Sequence, residues 1–474
     1  MPRLCRYFRT LRKIIPYPVL FLYLCLQTTS HAQQTATADQ IIQAAINALP
    51  ATGGIVDETA LSGPQPLGGP ILINKPVRLI LNGQFTYSGA AIVNGLFQFL
   101  PGSDGSDVEC LTPSSRPSGS GGIPTSWSCY VSVTPSGQGM PIFGISHSST
   151  NSAVGPVQLR NFGILASSAV SDIVQANESA GGSLLVDSLS VTAPTFGAGA
   201  TGMFVHFTSN GPSTLTVTNN QIYFVTAGVN IDSTGQATVQ IINNQFVGAS
   251  QSYVSIGASL PSGQYNAVIQ TNNFQDSALA SGTKAVDLEA GSCLFENNHF
   301  ENDNSNALAN GGGIVDFFSS TGTQANILGN TFSAGTFAAS YSPSVGIDTL
   351  GSAYIVGNFI GAYQIAPWLG AVNSLQFLGN SVASNGSSPL LLASSASGAP
   401  QNMIGGSLTV TGDLASSSTI QTGTASFATL SSVLTVNGQY TYCSDCKAAG
   451  EGSLCASGGN GSVAIMVNDI IECF

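Results

Sequence analysis

From residue 215 onward, apolar and polar residues alternate in short runs, and each run ends on an asparagine-bearing turn. In register they read Leu-Thr-Val-Thr-Asn-Asn-Gln-Ile (215–222), Val-Gln-Ile-Ile-Asn-Asn-Gln-Phe (239–246), Ala-Val-Ile-Gln-Thr-Asn-Asn-Phe (267–274) and Cys-Leu-Phe-Glu-Asn-Asn-His-Phe (293–300). Three more follow at 325–332, 353–360 and 375–382. The marker asparagines Asn220, Asn244, Asn272, Asn298, Asn330, Asn358 and Asn380 are spaced by 24, 28, 26, 32, 28 and 22 residues, with a large apolar residue two positions after each. Period-2 alternation predicts strands, and the Gly/Ser/Asn punctuation predicts tight turns. A repeat of this length is too short for a domain, so one unit cannot bury its apolar side alone. Stacking the units at about 4.8 Å buries a continuous core of Val, Ile and Phe. Asparagine tolerates left-handed backbone and bonds its own backbone, so the markers are expected to stack as a structural amide ladder. Weaker copies precede the series at 157–164 and 185–191.

Ahead of the repeats, residues 37–49 predict an amphipathic helix. Thr37 and Gln40 form a capping box, and Ile41, Ala45, Ile46 and Leu49 form its apolar face. Such a helix can close the open end of a solenoid. Gly-Gly-Ile-Val and then Asn-Lys-Pro-Val-Arg-Leu-Ile-Leu-Asn-Gly (74–83) follow. This opening, with the Asn-x-Phe coils, resembles the pectate-lyase superfamily over roughly residues 36–400. The resemblance implies an all-β fold, a right-handed parallel β-helix with an N-terminal capping helix. It also implies a polysaccharide partner and, for any enzyme, lyase or glycoside hydrolase chemistry. The Asp-Asp, Gly-His-Gly and Arg-x-Lys motifs of polygalacturonase-like members do not occur here. Fold alone does not carry an activity.

The remaining segments divide the chain. Arg3, Arg6, Arg9, Arg12 and Lys13 precede an apolar run over 14–26, the layout of a secretory signal cut after Ala32. The protein is therefore expected to be exported, to the cell surface or beyond it, with no membrane span. Residues 33–100 read as the cap and first coils, 101–140 as an irregular loop insertion and 141–400 as the β-helix. Residues 401–437 read as a β-rich neck and 438–474 as a cysteine-bearing module, with a Ser/Ala/Gly-rich linker over 384–400.

Charge narrows the partners. Five of the 11 basic residues leave with the signal, so six face 23 acidic ones, a net charge of about −17. Such a surface repels polyanions, which speaks against nucleic acid and leaves neutral or cation-bridged glycans. Low charge with abundant Val, Ile and Phe also sets disorder aside.

Chemistry is expected on the outward face of a second strand in each coil. Aligning the Val-x-Ile triplets gives an outward column of His206, Asn230, Ser255, Asp287 and Asp316. A second column, two residues on, is Thr208, Asp232, Gly257, Glu289, Phe318 and Asp348. Asp287, Asp316 and Glu289 then form a carboxylate cluster. One carboxyl kept protonated by its neighbours and another acting as base or nucleophile is what glycoside hydrolysis requires. The same oxygens suit calcium, as do Asp276 and the run 301–306, so calcium is possible although no cofactor is required. A solvated acidic face is the plain alternative. A one-residue register error would turn the cluster inward. Arg160 and Lys284 are the basic residues in the well-marked coils that a lyase could use.

Seven cysteines remain after the signal. Cys110 and Cys129 are expected to close the early loop. Cys443, Cys446, Cys455 and Cys473 are expected to form two disulfides or a zinc site. Cys293, on a core strand, is left as a free thiol.

Overall fold

A computed structural model of the 474-residue chain describes residues 36–61, 63–111, 128–147, 156–178, 181–192, 201–223, 225–233, 235–257, 265–275, 278–279, 285–288, 292–301, 304–305, 315–317, 324–333, 346–349, 352–363, 368–371, 374–384, 391–393, 403–405, 424–434, 440–448 and 453–474. The chain forms two compact units, Met1–Ser407 and Leu408–Phe474.

The first unit is a parallel β-solenoid. Among the described residues, three long sheets of 13, 12 and 12 strands each take every third strand of the solenoid. The first sheet runs from Gly54–Glu58 to Met403–Gly405, the second from Pro64–Pro66 to Ser381–Ser384 and the third from Ile71–Ile73 to Leu391–Ala393. Alternation in the sequence becomes alternation in burial. In Ser213–Thr218 and Ala237–Ile242, Leu215, Val217, Val239 and Ile241 point inward, whereas Thr216 and Gln240 point outward. Phe246, Phe274, Phe300 and Phe332 stack inside with ring centroids 5.4, 4.7 and 5.1 Å apart. Burying each ring contributes about 1.5–3 kcal/mol, and each stacked pair adds roughly 0.5–1.5 kcal/mol.

The marker asparagines form the expected ladder, and those from Asn220 to Asn358 are buried. Asn272 Nδ2 donates to Asn298 Oδ1 at 3.0 Å and to the Ile241 carbonyl at 2.7 Å, and the Asn272 backbone N–H donates to Asn298 Oδ1 at 3.0 Å. The Asn272 Oδ1 accepts the same pair of bonds from Asn244. The pattern continues to Asn380. One expectation changes: the left-handed residue is the one before the marker. Asn219, Asn243, Thr271 and Asn297 have φ of 58°, 58°, 56° and 54°, and Gly329, Gly357 and Gly379 continue the series. Turning the chain and bonding between coils thus fall to adjacent residues. The ladder starts where the Leu189 N–H donates to Asn220 Oδ1 at 2.8 Å.

Helix α1 (Ala38–Ala48) covers the first coil. The Thr37 N–H donates to Gln40 Oε1 at 3.2 Å, the return arm of the capping box. Ile42 and Ile46 are fully buried, with Ala45 and Leu49 packed beside them. Ile42 therefore replaces Ile41 at the centre of the face, because the i,i+4 pair that meets the coil starts one residue later. Gln43 works as a strand substitute: its Oε1 accepts the Leu72 N–H at 2.7 Å and its Nε2 donates to the Leu72 carbonyl at 3.2 Å. The exposed edge of the third sheet's first strand is satisfied there.

Within 101–140, Asp107–Cys110 and Tyr130–Val133 are ladder strands of the first and second sheets. Cys110 and Cys129 are disulfide-bonded, which joins the end of one strand to the start of the next.

The second unit holds a six-stranded sheet, with a four-residue helix, α2 (Leu430–Val433), ahead of most of it. Among the described residues its core comprises Leu430, Leu434, Cys443, Cys446, Ala464, Met466 and Cys473. Cys443 is bonded to Cys446 and Cys455 to Cys473, the disulfide alternative of the two expected from the sequence. Cys293 is free and buried, and burial pushes its thiol well above the ordinary range, which keeps it unreactive. Among the described residues, no helix is long and apolar enough to cross a membrane.

Candidate functional site

The third sheet carries the column read from the sequence. His206 pairs with Asn230, Asn230 with Ser255, Ser255 with Asp287 and Asp287 with Asp316. The residues on both sides of these positions, from Val205 and Phe207 to Val286 and Leu288, are buried, so His206, Asn230, Ser255 and Asp287 face outward, half-buried. The column also extends upstream to Gln175, Gly144 and Gln98. Successive coils bring one polar position every 4.8 Å or so.

In the second column, Asn177, Thr208 and Asp232 align. Thr208 Oγ1 donates to Asn177 Oδ1 at 2.6 Å, and Asn230 Nδ2 donates to Asp232 Oδ2 at 3.2 Å. Asp348 leaves this column: Thr349 pairs with Phe317, so Asp348 falls in step with Asp316. Asp287, Asp316 and Asp348 thus occupy one backbone column on three consecutive coils. Glu289, Phe318, Asp276 and Lys284 lie outside the described residues, as do 302–303 and 306 of the polar run.

His206 sits in a constellation that alternation did not reveal. Its Nδ1 lies 3.6 Å from Asp172 Oδ1 and its Nε2 3.9 Å from Asp232 Oδ2; the side chains are 26%, 6% and 51% exposed respectively. Asp172 belongs to Val170–Glu178, whose pairing shifts register between Val170 and Asp172. Two consecutive inward residues, Ile173–Val174 in one coil and Phe204–Val205 in the next, break the period of two. That break places Asp172 beside a histidine to which simple alternation does not connect it. The usable signal was an acidic residue opening the apolar run one coil before a histidine-bearing strand.

Asp172, foremost as a hydrogen-bond partner, holds the imidazole above its ordinary pKa; burial opposes the shift, and the charges of Asp172 and Asp232 add to it. A buried carboxylate on Nδ1 orients the ring and leaves Nε2 toward the exposed Asp232 side. The arrangement can hold a proton and offer it at the surface.

Arg160 has a different fate from the one a lyase would need. On the outward face of the first sheet its Nε donates to Asp107 Oδ1 at 2.9 Å and its Nη2 contacts Asp107 Oδ2 and, at 3.0 Å, Glu109 Oε2. Arg78 closes the group with 2.9 and 2.7 Å bonds to Glu109 Oε1. The hydrogen bond to Asp107 and the surrounding carboxylates raise the Arg160 pKa further, so Arg160 is a structural cation. His299 lies 3.6 Å from Glu301 on the second sheet, away from this face.

No family model matches the chain, and comparison with curated proteins and with solved structures returns no match.

Proposed function

We propose that the outward face of the third sheet grips an extracellular polysaccharide laid along the solenoid axis. The observation that carries this reading is the unbroken register of hydrogen-bonding side chains, His206, Asn230, Ser255 and Asp287, one per coil, with Asp316 on the next rung. A linear polymer with a regular repeat presents hydroxyls at regular steps, and amide, hydroxyl and carboxylate groups are what bind them. Export by the N-terminal signal and kinship with the pectate-lyase superfamily belong to the same reading. They rest on the basic–apolar opening and on the Asn-x-Phe coils. If the chain cleaves its glycan, Asp287, Asp316 and Glu289 are the candidate carboxyl groups, with calcium a possible bridge to an acidic sugar.

A glycan-array and polysaccharide-degradation screen, run with calcium and with EDTA, tests the proposal. The comparison is wild type against Asp287→Ala/Asp316→Ala. Binding weakened roughly 10–100-fold in the double variant, the cost of about 1.5–3 kcal/mol in charged hydrogen bonds, supports the face as the site. Cleavage lost with it adds catalysis. Undiminished binding in the double variant refutes the site.

A second reading, surface display without catalysis, draws on the terminal unit. Its sheet leaves Tyr440, Tyr442, Leu454, Val463 and Ile470 exposed. No glycan response in either protein favours that reading.

A further inference from the structure

The four cysteines of the terminal unit are closer together than two independent disulfides require. The sulfurs of Cys446, Cys455 and Cys473 lie within 4.8 Å of one another, and Cys443 is joined to Cys446. Three sulfurs therefore cluster in the core beside Ala464 and Met466, and Cys443, outside that group, is one bond away from Cys446. We propose that the same four sulfurs, as thiolates, form a tetrahedral zinc site, so that the unit is stapled by zinc before its disulfides form.

Three features support this. First, Zn–S bonds of about 2.3 Å place tetrahedral sulfurs about 3.8 Å apart, so closing a 4.8 Å triangle onto one ion needs only small side-chain rotations. Second, Cys443 ends one strand and Cys446 begins the next, across a two-residue turn. That Cys-x-x-Cys spacing delivers two sulfurs to one side of a tight turn. Gly458 and Gly459 N–H groups brace the turn at the Asp445 carbonyl, at 2.8 and 3.0 Å. Third, Cys455 and Cys473 come from neighbouring antiparallel strands, Ser453–Ser457 and Ile470–Cys473, which supply the other two ligands from a rigid base. Among the described residues, three of the seven that form the buried apolar cluster are themselves cysteines, so a staple at those sulfurs sits in the core of the unit. Thiolate is soft and suits zinc over calcium or magnesium. The chemistry balances without an electron transfer: four thiols lose four protons to the buffer as Zn²⁺ binds. Later thiol–disulfide exchange with two small-molecule disulfides, each reduced to two thiols as it takes two electrons and two protons, converts the four sulfurs to two disulfides and releases the ion.

The test uses the full chain, reduced with a trialkylphosphine, which takes the oxygen of one water per disulfide and leaves two thiols. After removal of the phosphine, zinc is added and excess ion washed away. The expected result is one zinc per chain by atomic emission, with Cys443, Cys446, Cys455 and Cys473 protected from alkylation in peptide mapping and Cys110 and Cys129 labelled. Cobalt in place of zinc should give the charge-transfer absorption of a four-sulfur tetrahedral site. Cys446→Ser/Cys473→Ser should lose the metal. Cys443→His cannot form the first disulfide yet retains an accepted zinc ligand, so it should keep zinc binding. Zinc well below one per chain in the wild type, or zinc unchanged in the double serine variant, overturns the proposal. So does a Cys443→His variant that is folded by circular dichroism but binds no zinc.

Discussion

Two polar columns follow the later coils of the solenoid, each with one residue per coil, and they have opposite fates. The asparagines from Asn220 to Asn358 are buried, and each amide is satisfied by the next rung and by a carbonyl one coil back. The third-sheet column from His206 to Asp287 has the same spacing, but its side chains stand half-buried on the outward face. Spacing alone does not distinguish scaffold from surface. What distinguishes them is whether the side chain is buried in the stack or open to solvent. A buried, saturated column holds coils together, and an outward one is open to bind something else.

The sharpest way to break that contrast is to remove one rung of each column. Asn272→Ala strips Asn244 of the acceptor for two donors and the Ile241 carbonyl of its Nδ2 partner. At about 1–3 kcal/mol for each orphaned buried group, the expected loss is about 4 kcal/mol in chemical denaturation. Asn230→Ala, on the outward column, should cost under about 0.5 kcal/mol. Equal losses would show that the two columns do the same job.

Next in size is Arg160→Ala. It leaves Asp107 and Glu109, each 8% exposed, with Arg78 alone. Removing one partner from a buried charge group costs about 2–3 kcal/mol here, below the usual 3–5 because Arg78 remains. A loss under about 1 kcal/mol, measured by the same denaturation, would return Arg160 to the pool of free surface cations.

Thr271 sharpens the ladder from the other side. It is exposed and holds a φ of 56°, where neighbouring coils place asparagine or glycine. A β-branched residue there is strained by roughly 1–2 kcal/mol. Thr271→Asn should therefore raise stability by about 1 kcal/mol, with the ladder bonds of Asn272 unchanged. A neutral or destabilising result would mean that the turn has already relaxed around threonine.

The ladder, the stacked coils and the third-sheet register from His206 to Asp316 were legible in the sequence because each repeats at a visible position; of the disulfides, Cys110–Cys129 was legible and the pairing of the four terminal cysteines was not. Asp172 was not, because consecutive inward residues break alternation just where it meets His206. The Arg78–Glu109–Asp107–Arg160 group was hidden for another reason. Its members are brought together from coils 29 to 53 residues apart in chain positions, in the early part of the chain where no asparagine marks the register. Ile41 was chosen over Ile42 because both fit a helical stripe, and only the position of the first coil decides between them.

The smallest expected effect concerns pH and His206. Its folded pKa is raised above the ordinary 6.5, by Asp172 first and by Asp232 in addition. A raised folded value means that the proton favours the native state. The stabilisation is therefore complete below about pH 6.5 and lost as pH rises through the raised folded pKa. A partly exposed pair of this kind is worth under about 1 kcal/mol, so the comparison must be differential. The wild-type advantage over His206→Gln should be present near pH 5.5 and fall away as pH rises through the raised folded pKa. Asp172→Asn should bring the imidazole back toward its ordinary value in an NMR titration without disturbing the asparagine ladder. If His206 instead titrates at or below 6.5 in the wild type, the two carboxylates do not hold its proton, and the imidazole is no candidate acid.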